Sequence, residues 1–509
     1  MIYISSTKFN SYQTWQGEMF CMKCVVRCVR ADILPRGGAL SRIARQSSTT
    51  VTKTIDDVPG PKGLPLIGTT LSLLMAGSTP KLHHYIDKRH KEYGSIFKES
   101  IGPVPCIFIS DAKTIRDVFA HEGKYPIHVL PEAWTTYNTL HNVSRGIFFM
   151  DGEEWWHFRR ILNAALMKGD QEWLEDSCVP AVENIMRRIR TVSSCTSSYP
   201  DMEQILYSWS LEVIISVLVG PQNYLLAKDQ IADRVDELAS TLRLIFETSS
   251  KLMLISSKFA AKFGIPRWQR FEAAVSTALH NVANLVELLL NNYVRENEGL
   301  LGKLRGKMTT NELSRIVTDL ILAAGDTTAY SMEWTLYLIG KNLDVQKKLR
   351  EQIAEDEKKS QCWTSNLYLK NTIKESLRLY PVAPFLTRIL PKPATIQGYY
   401  MPAGSVLIMS IFSTGRDAIN FPNPLKFDPD RWMRDDNNGV AARSASIPFA
   451  IGSRSCIGKK LAEKQLQITL GELVRNFHVT VDNSEDVDVI LEMVAIPSEK
   501  IKFQFSNLE

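Results

Sequence analysis

Cysteine is scarce in this chain, with eight in 509 residues: Cys21, Cys24, Cys28, Cys106, Cys178, Cys195, Cys362 and Cys456. Their spacing is irregular and three crowd the N-terminus, so they read as reduced thiols in a non-secretory compartment rather than a disulfide framework. Cys21, Cys24 and Cys28 include a C-x-x-C, but no second pair or nearby histidine completes a zinc site. Long apolar runs are missing too. No stretch of about 18 uncharged apolar residues occurs, which argues against a spanning helix, and the best N-terminal run is cut by Lys23 and Arg27. No repeat at a period of about 20–50 residues is present, which excludes solenoids and propellers. Residues 70–509 lack a linker rich in Pro, Gly or Ser, so the several domains that the length allows reduce to one.

Beyond residue 50 net charge is also lacking. Residues 1–50 carry Lys8, Lys23, Arg27, Arg30, Arg36, Arg42 and Arg45 against Glu18 and Asp32, a balance of +5 that equals the charge of the whole chain. The remainder therefore sums to zero, and nothing in it marks a nucleic-acid partner. Lys23, Arg27 and Arg30 fall on one face of a helix with valines between them, and the Ser/Thr-rich RQSSTTVTKT follows. Such a basic, amphipathic, acid-poor leader predicts a mitochondrial presequence over residues 1–50. Residues 51–69 contain VPGPKGLPLIG, a Pro/Gly-rich linker that enters the folded body without helix.

What the chain has in abundance is helical periodicity, over 177–193, 203–219, 230–248, 270–296, 309–340 and 459–476. Short alternating segments, PCIFIS, GSVLIMS, HVTV and IKFQF, predict strands. The expected fold is mainly α with small peripheral β-sheets, in a single large domain over residues 70–509.

Against that background FAIGSRSCIGKKLAEKQL, Phe449 to Leu466, stands out. Cys456 lies between Gly452 and Gly458, which permit tight backbone paths. Arg454 brings a permanent charge, and a helix starting near Ile457 points its positive end at the sulfur. Each should lower the thiol pKa, which makes Cys456 a nucleophile or a metal ligand. A second signal is TTNELSRIVTDLILAAGDTTAYSMEWTLYLIGKN. Thr309 and Glu312 have capping-box spacing at its start. Gly325, Asp326 and Thr327 then interrupt an apolar middle, where a glycine costs about 1 kcal/mol and an unpaired aspartate several. The reading is a distorted turn that delivers a carboxyl and a hydroxyl to a buried centre. KESLRLYP places Glu375 and Arg378 on one helical face stopped by Pro381, and FDPDRW offers Arg431 as a further partner. DGEEWWHFRR puts Trp155 and Arg159 at i, i+4; with Arg388 and Arg454 these make four donors suited to carboxylates.

In this order the pieces (A-A-G-D-T-T, E-x-x-R, F-x-P-x-R-W and the F-x-x-G-x-R-x-C-x-G of Phe449 to Gly458) resemble the cytochrome P-450 family of haem-thiolate monooxygenases over residues 58–509. The resemblance implies haem b with Cys456 as its thiolate metal ligand and Phe449 in the same loop. Trp155, Arg159, Arg388 and Arg454 would hold the propionates, and Glu375, Arg378 and Arg431 would form a structural triad. Asp326 and Thr327 would be the catalytic proton-delivery pair. Ala324 departs from the glycine that many members carry, which narrows the oxygen groove. The leader and the lysines of YLKNTIKESLR look like those of mitochondrial members, which implies peripheral attachment on the matrix side of the inner membrane. It also implies electrons from an acidic ferredoxin and its NADPH-dependent reductase, docked on Lys370, Lys374, Lys459 and Lys460. Within that group the segments HEGKYPIHVLPEAWTTYN and IPFAIGSRSCIG look most like insect ecdysteroid 2-hydroxylases, which make ecdysone from 2-deoxyecdysone. KLMLISSKFAAKFGIPRW, with Lys251, Lys258, Lys262 and Arg267 among apolar residues, is expected to dip into a membrane surface. Two alternatives stay open: a mitochondrial member acting on another lipophilic substrate, and a haem protein that does not activate oxygen.

Overall fold

The computed structural model describes residues 2–3, 53–168, 172–193, 199–295, 298–433 and 442–508. Most of the predicted presequence, including its three cysteines, lies outside the described residues. Long helices build the body. Glu172–Ser193, Met202–Val219, Pro221–Leu252, Pro266–Asn292, Thr310–Lys341 and Lys459–Asn476 correspond to the six predicted segments, with ends moved by a few residues. The largest shift is at Pro221–Leu252, which opens with proline in its first turn, where a missing N–H costs nothing.

Thr310–Lys341 is the central helix. Its capping box forms as expected: the Glu312 N–H donates to Thr309 Oγ1 (3.3 Å), and the Thr309 N–H donates back to Glu312 Oε2 (2.8 Å). Met202–Val219 packs along it and buries nearly every side chain, polar and apolar alike. That helix and Pro266–Asn292 are long and apolar enough to cross a bilayer, but the first is enclosed within the protein. Burial of each Leu, Ile or Val here contributes about 1.5–3 kcal/mol. One hydrophobic cluster runs from Ala133 to Phe505 through all these helices, the signature of a single domain.

The sheets are small and lie beside the helices. The largest has four strands, in the order Ile96–Ser100, Pro105–Ile109, Val406–Ser410 and Phe385–Ile389; only the middle pairing is parallel. PCIFIS and GSVLIMS therefore become neighbours across about three hundred residues of chain. HVTV and IKFQF form an antiparallel pair, Phe477–Val481 with Phe503–Asn507. The Pro/Gly-rich entry lies on the body: Lys53–Thr54 pairs with Tyr399 and Tyr400, Val58 is buried, and the Pro59 carbonyl accepts the Lys98 N–H at 2.7 Å.

Candidate haem-thiolate site

The cysteine loop is closed by its own backbone. The Cys456 N–H donates to the Phe449 carbonyl (2.9 Å) and the Ser455 N–H to the Gly452 carbonyl (3.2 Å). Gly452 has φ 81°, and a Cβ there would sit 2.2 Å from Glu122 Oε1. Gly458 differs from expectation. Its φ is −86° and a Cβ would meet only the Cys456 sulfur, at 3.9 Å, so no unusual backbone explains it. The helix after the loop starts at Lys459, slightly later than Ile457.

Glu122 is a residue that sequence reasoning missed. Buried beneath the loop, it accepts from the Ser453 N–H (2.9 Å) and from Arg388 Nε (2.7 Å). Arg388 arrives on the strand Phe385–Ile389, stacked on Phe119. Arg159, on the helix Gly152–Leu166, donates to the Ser455 carbonyl (2.6 Å). Arg454 does not act on the sulfur. It turns away to the Met150 carbonyl (2.6 Å) and Asp151 (2.7 Å) and stacks over the fully buried Trp155 at 4.3 Å. The Phe449 ring lies beneath Lys459.

The thiol pKa also departs from expectation. Burial pushes Cys456 up, and the opposing pull of the Gly458 N–H and the Arg159 guanidinium does not overcome it. A bound metal cation would reverse this balance, because a coordinating thiol is deprotonated outright.

Several buried N–H groups around the loop have no partner, Arg159 Nε, Arg388 Nη2 and Arg454 Nε, and the two ring nitrogens of His128, one donor and one acceptor in the neutral imidazole, have no hydrogen bond of good geometry. Leaving such groups unpaired costs about 1–3 kcal/mol each. His128, also missed by the sequence reading, is held neutral with its pKa near 3 by burial and by Arg454 and Arg388. A group carrying carboxylates and a thiophilic metal would satisfy these donors and the sulfur together. Haem fits that donor set.

The central helix carries the second constellation. Ala323 and Thr327, one turn apart, are exposed on one face of this helix, whereas Leu322, Gly325, Asp326 and Thr328 are buried. The expected distorted turn is absent, since Thr310–Lys341 is continuous α-helix. Its polar groups are accommodated side by side instead. Thr327 Oγ1 donates to the Ala323 carbonyl (2.8 Å), Ser331 Oγ to the Thr327 carbonyl (2.6 Å), and Thr335 Oγ1 to the Ser331 carbonyl (2.6 Å). Ser210 reaches across to the Ala324 carbonyl (2.8 Å). Gly325 is there for space: a Cβ would press on Leu242 at 3.1 Å. Asp326 points away from Thr327 into the protein. It is fully buried and neither oxygen has a hydrogen bond of good geometry. Burial raises its pKa to about 7, with the nearby Tyr207 hydroxyl opposing that rise.

Glu375, Arg378 and Arg431 meet in the interior. Arg378 forks onto both Glu375 oxygens (2.9 and 2.7 Å), Arg431 Nε donates to Oε1 (2.7 Å), and Trp432 Nε1 donates to Oε2 (3.0 Å). The spare guanidinium hydrogens hold the carbonyls of Gly415, Pro424 and Pro422. The four lysines converge as well. Glu463 feels Lys459, Lys374, Lys370 and Lys460 in that order, opposing a burial-driven rise in its pKa.

The cytochrome P450 family profile matches residues 58–505. The chain is 37% identical to cytochrome P450 315a1, mitochondrial, of Drosophila melanogaster, over 87% of each chain. It is 28% identical to mouse 1,25-dihydroxyvitamin D(3) 24-hydroxylase, mitochondrial, over 89% of this chain and 90% of the mouse enzyme. It is also 28% identical to horse cholesterol side-chain cleavage enzyme, mitochondrial, over 84% of each. The fold is that of a retinoic acid-bound cyanobacterial CYP120A1, with TM-score 0.70 and 20% identity over 89% of this chain and 99% of that one. Because one match takes in the cysteine loop, the central helix and the buried glutamate–arginine network together, this chain belongs to the cytochrome P450 family, as a monooxygenase of the mitochondrial type.

Proposed function

We propose that the protein inserts one oxygen atom from O2 into a steroid, and that its reaction is the 2-hydroxylation of 2-deoxyecdysone to ecdysone. The observation that carries the oxygenase reading is Cys456, which keeps free surface although the fold packs closely around its sulfur, beside three buried arginines that each retain one N–H without a partner, with Thr327 exposed on the central helix. The substrate rests on resemblance to ecdysteroid 2-hydroxylases and on the 37% identical relative.

Cys456 would be the thiolate ligand of haem b, while Arg159, Arg388, Arg454 and Trp155 would hold its carboxylates. His128 stands ready to donate from a ring nitrogen. Bound there, haem would supply oxygen-activating iron chemistry, which a thiolate donor favours. The protein does the rest. Thr327 orders water at the exposed helix face, Asp326 holds a proton near neutral pH, and the apolar walls exclude bulk water. The Glu375, Arg378 and Arg431 network braces the loop before the cysteine.

Electrons come from an acidic mitochondrial ferredoxin and its NADPH-dependent reductase, received at Lys370, Lys374, Lys459 and Lys460. The protein lies on the matrix side of the inner membrane after loss of its leader. Phe259 and Phe263, more than half exposed beside Lys258 and Lys262, touch the bilayer together with Leu66 and Met75. Reconstitution with ferredoxin, reductase, NADPH and 2-deoxyecdysone tests the reading, with products identified by mass spectrometry and NMR. Ecdysone is the expected product. Cys456→Ser should abolish both that product and the red-shifted band of the reduced carbon monoxide complex. Persistence of the band in the folded variant would move the ligand elsewhere.

A further inference from the structure

Asp326 poses a problem of supply. A fully buried carboxyl that gives up a proton in each turnover has to be reloaded, and its oxygens have no hydrogen bond of good geometry. Tyr207 and Glu203 are the titratable groups that reach it, both from the helix Met202–Val219 packed along the central helix. The Tyr207 side chain is almost fully buried, and its hydroxyl lies within electrostatic reach of Asp326 and of the Tyr330 hydroxyl, short of a hydrogen bond of good geometry to Asp326. The two rings meet edge to face, with centroids 5.5 Å apart. The Tyr330 hydroxyl donates to Glu203 Oε1 at 2.7 Å. The other Glu203 oxygen pairs with Arg243 at 3.1 Å, where the glutamate is 22% and the arginine 60% exposed. Glu333, Asp201, Arg243 and Lys500 face this outer end, with Lys500 3.5 Å from Asp201.

We propose that Glu203, Tyr330 and Tyr207 form a proton-entry relay, running from solvent along the interface of two helices to Asp326. The inference rests on the oxygenase reading above and adds the route by which protons reach the site. The Tyr330 hydroxyl first turns from Glu203 towards Tyr207; Glu203, protonated from water, then passes its proton to the Tyr330 oxygen as Tyr330 releases its own to Tyr207. Tyr207 accepts that proton and releases its own to the Asp326 carboxylate. One O–H bond forms for each that breaks, so neither phenol is left ionised. Burial drives the pKa of both phenols upward, which disfavours any step that would store a phenolate. The hydroxyls then rotate back before the next transfer. Glu203, Tyr330 and Tyr207 are positioning residues that act through Asp326 and touch no substrate.

Tyr207→Phe and Tyr330→Phe keep both rings and delete one hydroxyl each. Deuterium exchange at the Asp326 carboxyl is read by infrared difference spectroscopy on the resting ferric protein, with Asp326→Asn identifying the band. Either phenylalanine variant should slow that exchange about tenfold or more, a modest share of what positioned proton transfer contributes. In turnover both should lower product per NADPH, raise peroxide and enlarge the solvent deuterium effect, with haem content and substrate binding unchanged. Glu203→Gln should shift the pH profile of coupling, a change that loss of packing alone would not produce. Unchanged exchange in either phenylalanine variant overturns the relay. If the substrate assignment alone is wrong, ecdysone is missing while the exchange rates still fall.

Discussion

Gly452 shows how closely one residue is specified by its neighbours. At φ 81° an L side chain costs about 1–2 kcal/mol, and any Cβ would overlap the carboxylate of Glu122. Overpacking adds about 1–3 kcal/mol. Gly452→Ala should therefore destabilise the protein by roughly 2–4 kcal/mol in denaturant unfolding. It should also loosen haem retention, because Glu122 ties the loop to Arg388. An unaltered midpoint would show that Glu122 moves aside freely. Sequence reasoning singled out this glycine for its backbone freedom, and φ 81° agrees. The carboxylate against it comes from over three hundred residues earlier.

At the scale of elements, the central helix carries a burden that its pattern announced only in part. Asp326 and Glu333 lie on it, both buried, with pKa values raised to about 7 and about 8. For Glu333 burial dominates, with Glu203 and Asp201 adding to the rise against Arg243 and Lys500. A carboxyl whose folded pKa exceeds its unfolded value of 4.5 keeps a proton that the unfolded chain has lost. The folded state therefore binds more protons between the two values, and stability falls as pH rises through that window. Glu333→Gln removes this contribution. Its unfolding free energy relative to wild type should rise by about 1–3 kcal/mol between about pH 5 and pH 8. Parallel pH curves for the two proteins would show that Glu333 does not carry the slope. Asp326 contributes with the same sign over a narrower range.

For the whole molecule the decisive quantity is where charge sits. Residues 51–509 have no net charge, so an acidic partner is steered by a local patch or not at all. Lys370 and Lys374 come from the helix Leu367–Leu379, and Lys459 and Lys460 open the helix after the cysteine loop; all four act on Glu463. Reversing Lys374 and Lys460 to glutamate should slow ferredoxin-dependent turnover at low salt and flatten its salt dependence, as screening at a Debye length of about 8 Å already weakens such steering. Haem content and binding of the proposed substrate should not change. Equal half-saturation by ferredoxin at low salt would return these lysines to a solvated face.

The sequence by itself determined the helical class, the six long helices, the strands and the cysteine loop. All of these depend on spacing within a few residues of chain, where apolar periodicity, caps and glycine placement act. It also placed Asp326 and Thr327 on one helix, but not their separation, with Thr327 exposed and Asp326 buried beside Tyr207. Only the tertiary structure decided which groups meet. Glu122 beneath Gly452, His128 among the arginines and Tyr330 against Glu203 join segments far apart in the chain, and no local pattern marks them. The pKa of Cys456 was misjudged for the same reason. Nearby charges can be read from a motif, whereas the desolvation that outweighs them is set by everything the fold packs around the sulfur.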